Sequence, residues 1–126
     1  MIVGFGIDAV FIPRLEKWAG DSGLLERFFH PDEIRACREK GRGMIHSLAA
    51  RFAVKEAFGK ALGTGLSGFG LKDVMVKAAA GGKPELELFG NALGAMRKTG
   101  AAKAHVSLTH DGQMAFAAVI LESGAQ

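Results

Sequence analysis

One stretch constrains this chain more than any other: Arg51-Phe52-Ala53-Val54-Lys55-Glu56-Ala57-Phe58-Gly59-Lys60-Ala61-Leu62-Gly63-Thr64-Gly65. At 3.6 residues per turn, Ala53, Ala57, Ala61, Val54, Phe58 and Leu62 share one broad arc, which predicts a helix with a buried face. Glu56 and Lys60 stand four apart on the opposite side, beside Gly59 and Gly63. Gly63-Thr64-Gly65 stops the helix, because glycine takes the left-handed conformation at C′ without a Cβ penalty. An acid and a lysine between bare glycines leave room for a ligand. By itself such a pair is usually solvated surface, contributing about 0.2–0.5 kcal/mol. The start of the chain points elsewhere, since Met1-Ile2-Val3-Gly4-Phe5-Gly6-Ile7-Asp8 reads as a buried strand running straight into an acid.

The rest of the chain supplies the frame. Pro13 suits the first position of a helix, and Leu15, Trp18 and Ala19 recur at helical spacing. Asp21-Ser22-Gly23 interrupts that segment before Leu24–Phe29 resumes it. His30-Pro31-Asp32-Glu33 reads as a second start, with acids in the first turn, and Gly41-Arg42-Gly43 breaks the chain before the central helix. After a glycine-rich loop from Gly65 to Gly70 the period changes to two. Val74, Val76 and Ala78 alternate with Met75 and Lys77, and Glu85–Leu88 alternates again after the turn Gly81-Gly82-Lys83-Pro84. Asn91–Lys98 reads as a short helix. Ala104–His110 and Met114–Leu121 read as strands joined by Asp111-Gly112. The expected fold is α+β, a mainly antiparallel sheet with the central helix packed on it.

At 126 residues the chain is expected to form one domain, 1–126, around one core. The single cysteine, Cys37, excludes an internal disulfide and reads as a small buried residue in a reducing compartment. The apolar start is short and lacks a basic region, so no signal peptide is expected. No apolar run nears the roughly 20 residues of a membrane span. A cytoplasmic protein with no membrane partner is therefore expected. The net charge of +3 invites anionic partners. Nucleic acid is disfavoured, because the basic residues are scattered, tyrosine is absent and no strand carries paired aromatics for stacking.

Gly6-Ile7-Asp8 with Arg14 behind it, the Arg51–Gly65 block, Gly82-Lys83-Pro84 and the closing Val106-Ser107-Leu108-Thr109-His110 come in an order that resembles the holo-[acyl-carrier-protein] synthases, small phosphopantetheinyl transferases. The resemblance spans nearly the whole chain, and the glutamate block is its specific part. It implies transfer of the 4′-phosphopantetheine arm of coenzyme A to a serine of an apo acyl carrier protein, releasing adenosine 3′,5′-bisphosphate. It also implies a place in fatty acid biosynthesis and a homotrimer with sites between subunits. The chain offers its own motive for assembly, since Met114–Leu121 is apolar on both faces and one helical layer covers only one of them.

That reaction builds negative charge on a leaving phosphate, so positioning and charge neutralisation dominate and magnesium is the natural device. Asp8 and Glu56 are the expected metal ligands and catalytic acids, as the resemblance also implies. Lys60, one turn beyond Glu56, would face the same pyrophosphate as catalytic and binding lysine. Arg51 would fork onto a phosphate oxygen. The backbone around Gly63 and Gly65 would admit a close ligand. The resemblance places Lys83, Pro84 and His110 at coenzyme A. A triad of Ser107, Asp111 and His110 is disfavoured, because Ser107 and His110 differ by three along a strand and point to opposite faces. Arg14, Lys17 and Arg27 are the expected carrier-docking cations. They are fewer than the family commonly carries on its first helix, with Asp21, Leu24 and Glu26 set among them. The competing class is a basic binding module, for which Asp8 and Glu56 would be dispensable and binding would fall steeply with salt.

Overall fold

The structure, a computed structural model, describes residues 1–124; the last two residues of the expected domain lie outside the described residues. The elements follow the order β, helices, ββαββ. Strand β1 spans Ile2–Phe11 and leads through a 3₁₀ turn, Ile12–Leu15, into helices α1 (Glu16–Ala19), α2 (Ser22–Phe28) and α3 (Pro31–Arg38). Helix α4 is Met44–Leu62. Strands β2 (Val74–Ala78) and β3 (Pro84–Leu88), helix α5 (Gly90–Lys98), and strands β4 (Ala101–Asp111) and β5 (Met114–Ser123) complete the chain. The expected punctuation acts where it stands. The Asp21 side chain caps α2, Pro31 opens α3, and Gly63 ends α4 at φ 83°.

The sheet is antiparallel but divided. β1, β5 and β4 form a three-stranded sheet with β5 in the middle, and β2 and β3 form a separate hairpin. The final hairpin turns on Gly112-Gln113, one residue later than expected, because Asp111 still pairs with Met114. Helix α4 lies across β1 and β5. Its inner side meets Gly4 and Gly6, where an added Cβ would stand 2.2 Å from the Ala61 carbonyl oxygen and 2.0 Å from that of Ala57. The alternating glycines of β1 therefore allow a helix backbone to lie directly on a strand, which side chains of any size would prevent.

Period-two alternation then sorts the sheet. Val10, Ala115, Ala117, Val119 and Leu121 point inward and are buried with Ala53, Ala57 and Phe58 of α4. Phe5, Ile7 and Phe11 point outward and are exposed, Phe5 by 59% and Ile7 by 58%. The exposed apolar side chains of this face belong to β1, whereas the outward residues of β5 on which the expectation rested, Met114, Phe116, Ala118 and Ile120, are half-buried.

Helix α4 departs from the expected single arc. Phe52, Lys55 and Gly59 are buried as well, so apolar packing surrounds most of its middle. Lys55 enters the core because Glu33 is there to meet it. Its Nζ donates to Glu33 Oε1 at 2.6 Å and to the carbonyls of Leu71 and Val74 at 3.0 and 2.5 Å. Glu33 also accepts from the amides of His30 and Val76, both at 3.0 Å. This network binds α3, α4 and β2 into one body, with the Lys55 and Glu33 charges paired and hydrogen-bonded to each other as burial demands.

Candidate functional site

Two groups of the expected site residues assemble, on different sides of α4. The first contains Asp8, Glu56, Lys60 and Arg14. Asp8 lies inside β1 and not at its end, since pairing continues to Phe11. Its register partner is Ala117, so it points inward toward α4. Lys60 donates from Nζ to Asp8 Oδ1 at 2.8 Å, with its own side chain 53% exposed and that of Asp8 12% exposed. That hydrogen bond, reinforced by the carboxylate charge, holds the Lys60 ammonium above its ordinary pKa.

Glu56 stands one turn before Lys60 and is half-buried. Burial raises its pKa first and the Asp8 carboxylate adds to the rise, while Arg14 and Lys60 pull it back. Two acids are thus held close enough to repel one another, with one lysine and one arginine in partial compensation. Opposed carboxylates on a stiff strand and a packed helix suit a cation, and the lysine suits a phosphate oxygen. Among the described residues, no cluster of three or more His, Cys, Asp or Glu side chains gathers. Asp8 and Glu56 offer two carboxylates. That number fits magnesium, which usually takes one or two carboxylates and completes its shell with substrate oxygens and water.

The second group lines a groove of about 330 Å³ holding Arg51, His110, Pro84 and Gly82, together with Lys40, His46 and Lys77. Asp8, Glu56 and Lys60 do not line it. Arg51 is mid-helix, since α4 begins at Met44, and its side chain is only 15% exposed. Its Nη1 donates to Ser47 Oγ. The His110 ring lies 5.7 Å from that of His46, edge to face. His46 was not anticipated, and its only sequence signal was its position five residues before Arg51, on the helix that carries it.

Three expectations need revision. Gly59 offers no space, because an added Cβ would stand 2.3 Å from the Gly65 carbonyl oxygen; the glycine exists for that close approach. The amides of Gly63 and Gly65 are committed to the carbonyls of Lys60 and Gly59, both at 3.0 Å, so neither is available as an anion donor. Lys83 faces a different groove, with Glu85 and His105, because the turn puts it on the far side of Pro84. Of the docking cations, Arg14 and Lys17 are exposed, and Arg27 is exposed with its guanidinium 5.9 Å over the Phe28 ring. Arg14 alone reaches the charges of the first group.

An α+β body that presents an acid pair beside a lysine, and a basic groove on the other side of the same helix, is the frame of a small enzyme for phosphate esters. Residues 4–117 match the 4′-phosphopantetheinyl transferase superfamily. The holo-[acyl-carrier-protein] synthase of Treponema denticola is 55% identical, covering 97% of this chain and 99% of that protein. The crystal structure of the Neisseria meningitidis holo-[acyl-carrier-protein] synthase superposes with a TM-score of 0.85 at 31% identity, over 98% of this chain and 100% of that one. The Helicobacter pylori enzyme, solved in complex with coenzyme A, gives 0.78 at 30% identity, over 94% and 99%. The chain belongs to the 4′-phosphopantetheinyl transferase superfamily, and within it to the holo-[acyl-carrier-protein] synthases. Among the described residues no helix is long and apolar enough to cross a membrane.

Proposed function

We propose that this chain transfers the 4′-phosphopantetheine arm of coenzyme A to a serine hydroxyl of an apo acyl carrier protein, acting in the cytoplasm as a single domain. The observation that carries the reading is the juxtaposition of Asp8, Glu56 and Lys60 on β1 and α4, in a chain whose relatives are named for that reaction. The serine oxygen attacks the phosphorus that bears the pantetheine arm. The bridging P–O bond breaks, adenosine 3′,5′-bisphosphate leaves, and the serine proton passes to water or to Glu56. Magnesium held by Asp8 and Glu56 would supply charge neutralisation at the pyrophosphate. Lys60 stabilises the leaving phosphate, having exchanged its Asp8 partner for phosphate oxygen. Arg51, Pro84 and His110 hold the nucleotide end, with the backbone around Gly63 and Gly65 shaping the approach. Arg14 faces the acidic carrier, with Lys17 and Arg27 further along the same surface.

The assembly belongs to the same proposal. The two groups lie on different sides of α4, and the uncovered face carrying Phe5, Ile7 and Phe11 asks for a partner. A homotrimer that buries this face and sets the first group of one subunit beside the groove of the next answers both. Incubating an apo carrier with coenzyme A, magnesium and this protein, then measuring intact mass, tests the activity. Sedimentation tests the assembly, and a fully active monomer at micromolar concentration would refute the shared site.

A further inference from the structure

The buried network around Lys55 does not close. Glu33 satisfies Lys55 with a hydrogen bond, yet a second cation reaches the same carboxylate: Arg51 Nε lies 3.9 Å from Glu33 Oε2, too far to bond. That Nε is buried and has no hydrogen-bond partner. Two cations therefore surround one anion in a region of low dielectric. Cys37, whose Sγ donates to Ser47 Oγ at 3.3 Å, adds no compensating charge, because burial pushes its thiol pKa up. The unbalanced positive charge lies on Arg51, and Arg51 opens onto the groove that holds His110.

Resting on the activity proposed above, we infer that Glu33 is a positioning residue for Arg51, and that a phosphate of the coenzyme A nucleotide completes the cluster. The phosphate takes the Nη edge of the guanidinium, now tied to Ser47. The Nε–H turns onto Glu33 Oε2 and closes the gap. Lys55 has a part in this. By engaging Oε1 and two carbonyls it fixes the carboxylate while leaving Oε2 to the Val76 amide and Arg51. A guanidinium held along its Nε edge presents its other edge to phosphate in one orientation, which is the geometry of bidentate recognition.

The test is a mutant cycle on the binding of adenosine 3′,5′-bisphosphate, followed by titration calorimetry. E33Q/K55M replaces the Lys55–Glu33 ion pair with neutral side chains of similar size, so neither member of that pair is left buried without its partner. Its affinity is expected to fall about 10- to 100-fold, the usual cost of losing the group that orients a ligand-binding side chain. Against an R51A background the same double change is expected to cost nearly nothing. In turnover, KM for coenzyme A should rise while kcat stays close to that of the unaltered protein. Equal losses in both backgrounds, or no loss in either, would overturn the inference. A second readout needs no altered core: in arginine-¹⁵N-labelled protein, the Arg51 Nε–H resonance should move downfield on saturation with the bisphosphate. A resonance that stays in place would overturn the inference even if E33Q/K55M failed to fold. The binding measurements need no carrier protein, so failure of carrier modification strikes the activity proposal alone.

Discussion

Lys55 and Lys60 sit five residues apart on one helix, each paired with an acid from a distant part of the chain, and they do opposite work. Lys55 is fully buried, and Glu33 and two carbonyls take its three protons. Burial pulls its pKa down while Glu33 pulls it up, so its charge depends on that partner. Lys60 is half in solvent with one partner, Asp8. A lysine saturated by the protein is a structural fastener, and one left with two unused donors is ready for a substrate. Burial and donor count separate the pairs where residue type does not.

The difference is broken most forcefully at Lys55. Lys55→Ala strands Glu33 in the core and should destabilise the fold by about 3–5 kcal/mol in urea denaturation. Lys60→Ala should leave the denaturation midpoint nearly unmoved. Comparable destabilisation by both would erase the distinction.

On the functional side, Asp8→Asn and Glu56→Gln keep shape while each removes a charge. Each should lower kcat about 10²- to 10³-fold at saturating magnesium with the fold intact, the scale of losing a preorganised electrostatic contact. Lys60→Ala should have a smaller effect, lowering kcat more than it raises KM for coenzyme A, because its phosphate contact strengthens as the leaving group departs. An effect on KM alone would demote Lys60 to a ground-state contact.

A weaker effect is expected at Arg14. Exposed charges act chiefly on encounter and are screened by salt. Arg14→Glu should raise KM for the carrier several-fold, leave that for coenzyme A nearly unchanged, and flatten the salt dependence. Equal rises in both constants would move the docking surface elsewhere.

The smallest effect concerns Glu56 and pH. Burial and the Asp8 charge raise its folded pKa above the unfolded value. Between those two values the folded state binds more protons than the unfolded one, so stability falls as pH rises through that window. Glu56→Gln should therefore be slightly more stable than the unaltered protein at neutral pH, with the advantage fading as pH falls through the window to the ordinary glutamate range. A loss of stability at neutral pH would mean that Glu56 is a fastener like Lys55.

Local chemistry made much of this legible in the sequence. Strand periodicity, Pro31, Gly63 and the inward apolar face of β5 were readable because each rule acts over a few residues. Asp8 and Glu56 were recognisable as partners only through the order of motifs along the whole chain. The Glu33–Lys55 network was not legible, since Glu33 looks like an ordinary helix-start acid and Lys55 like one more exposed lysine. The glycines showed a similar limit. Gly4, Gly6 and Gly59 serve backbone approach between elements distant in sequence, which no local pattern reports. The division into two sheets was hidden for the same reason, because pairing of β3 with β2 alone is settled by how the β2–β3 hairpin packs.

The most direct test of the central claim is the intact mass of an apo acyl carrier protein incubated with coenzyme A, magnesium and this protein, in parallel with its Glu56→Gln variant. The account predicts that the unaltered protein adds one phosphopantetheine to the carrier serine, while the variant leaves the carrier apo over the same interval. A carrier left unmodified by the unaltered protein, or modified at the same rate by the variant, would contradict it.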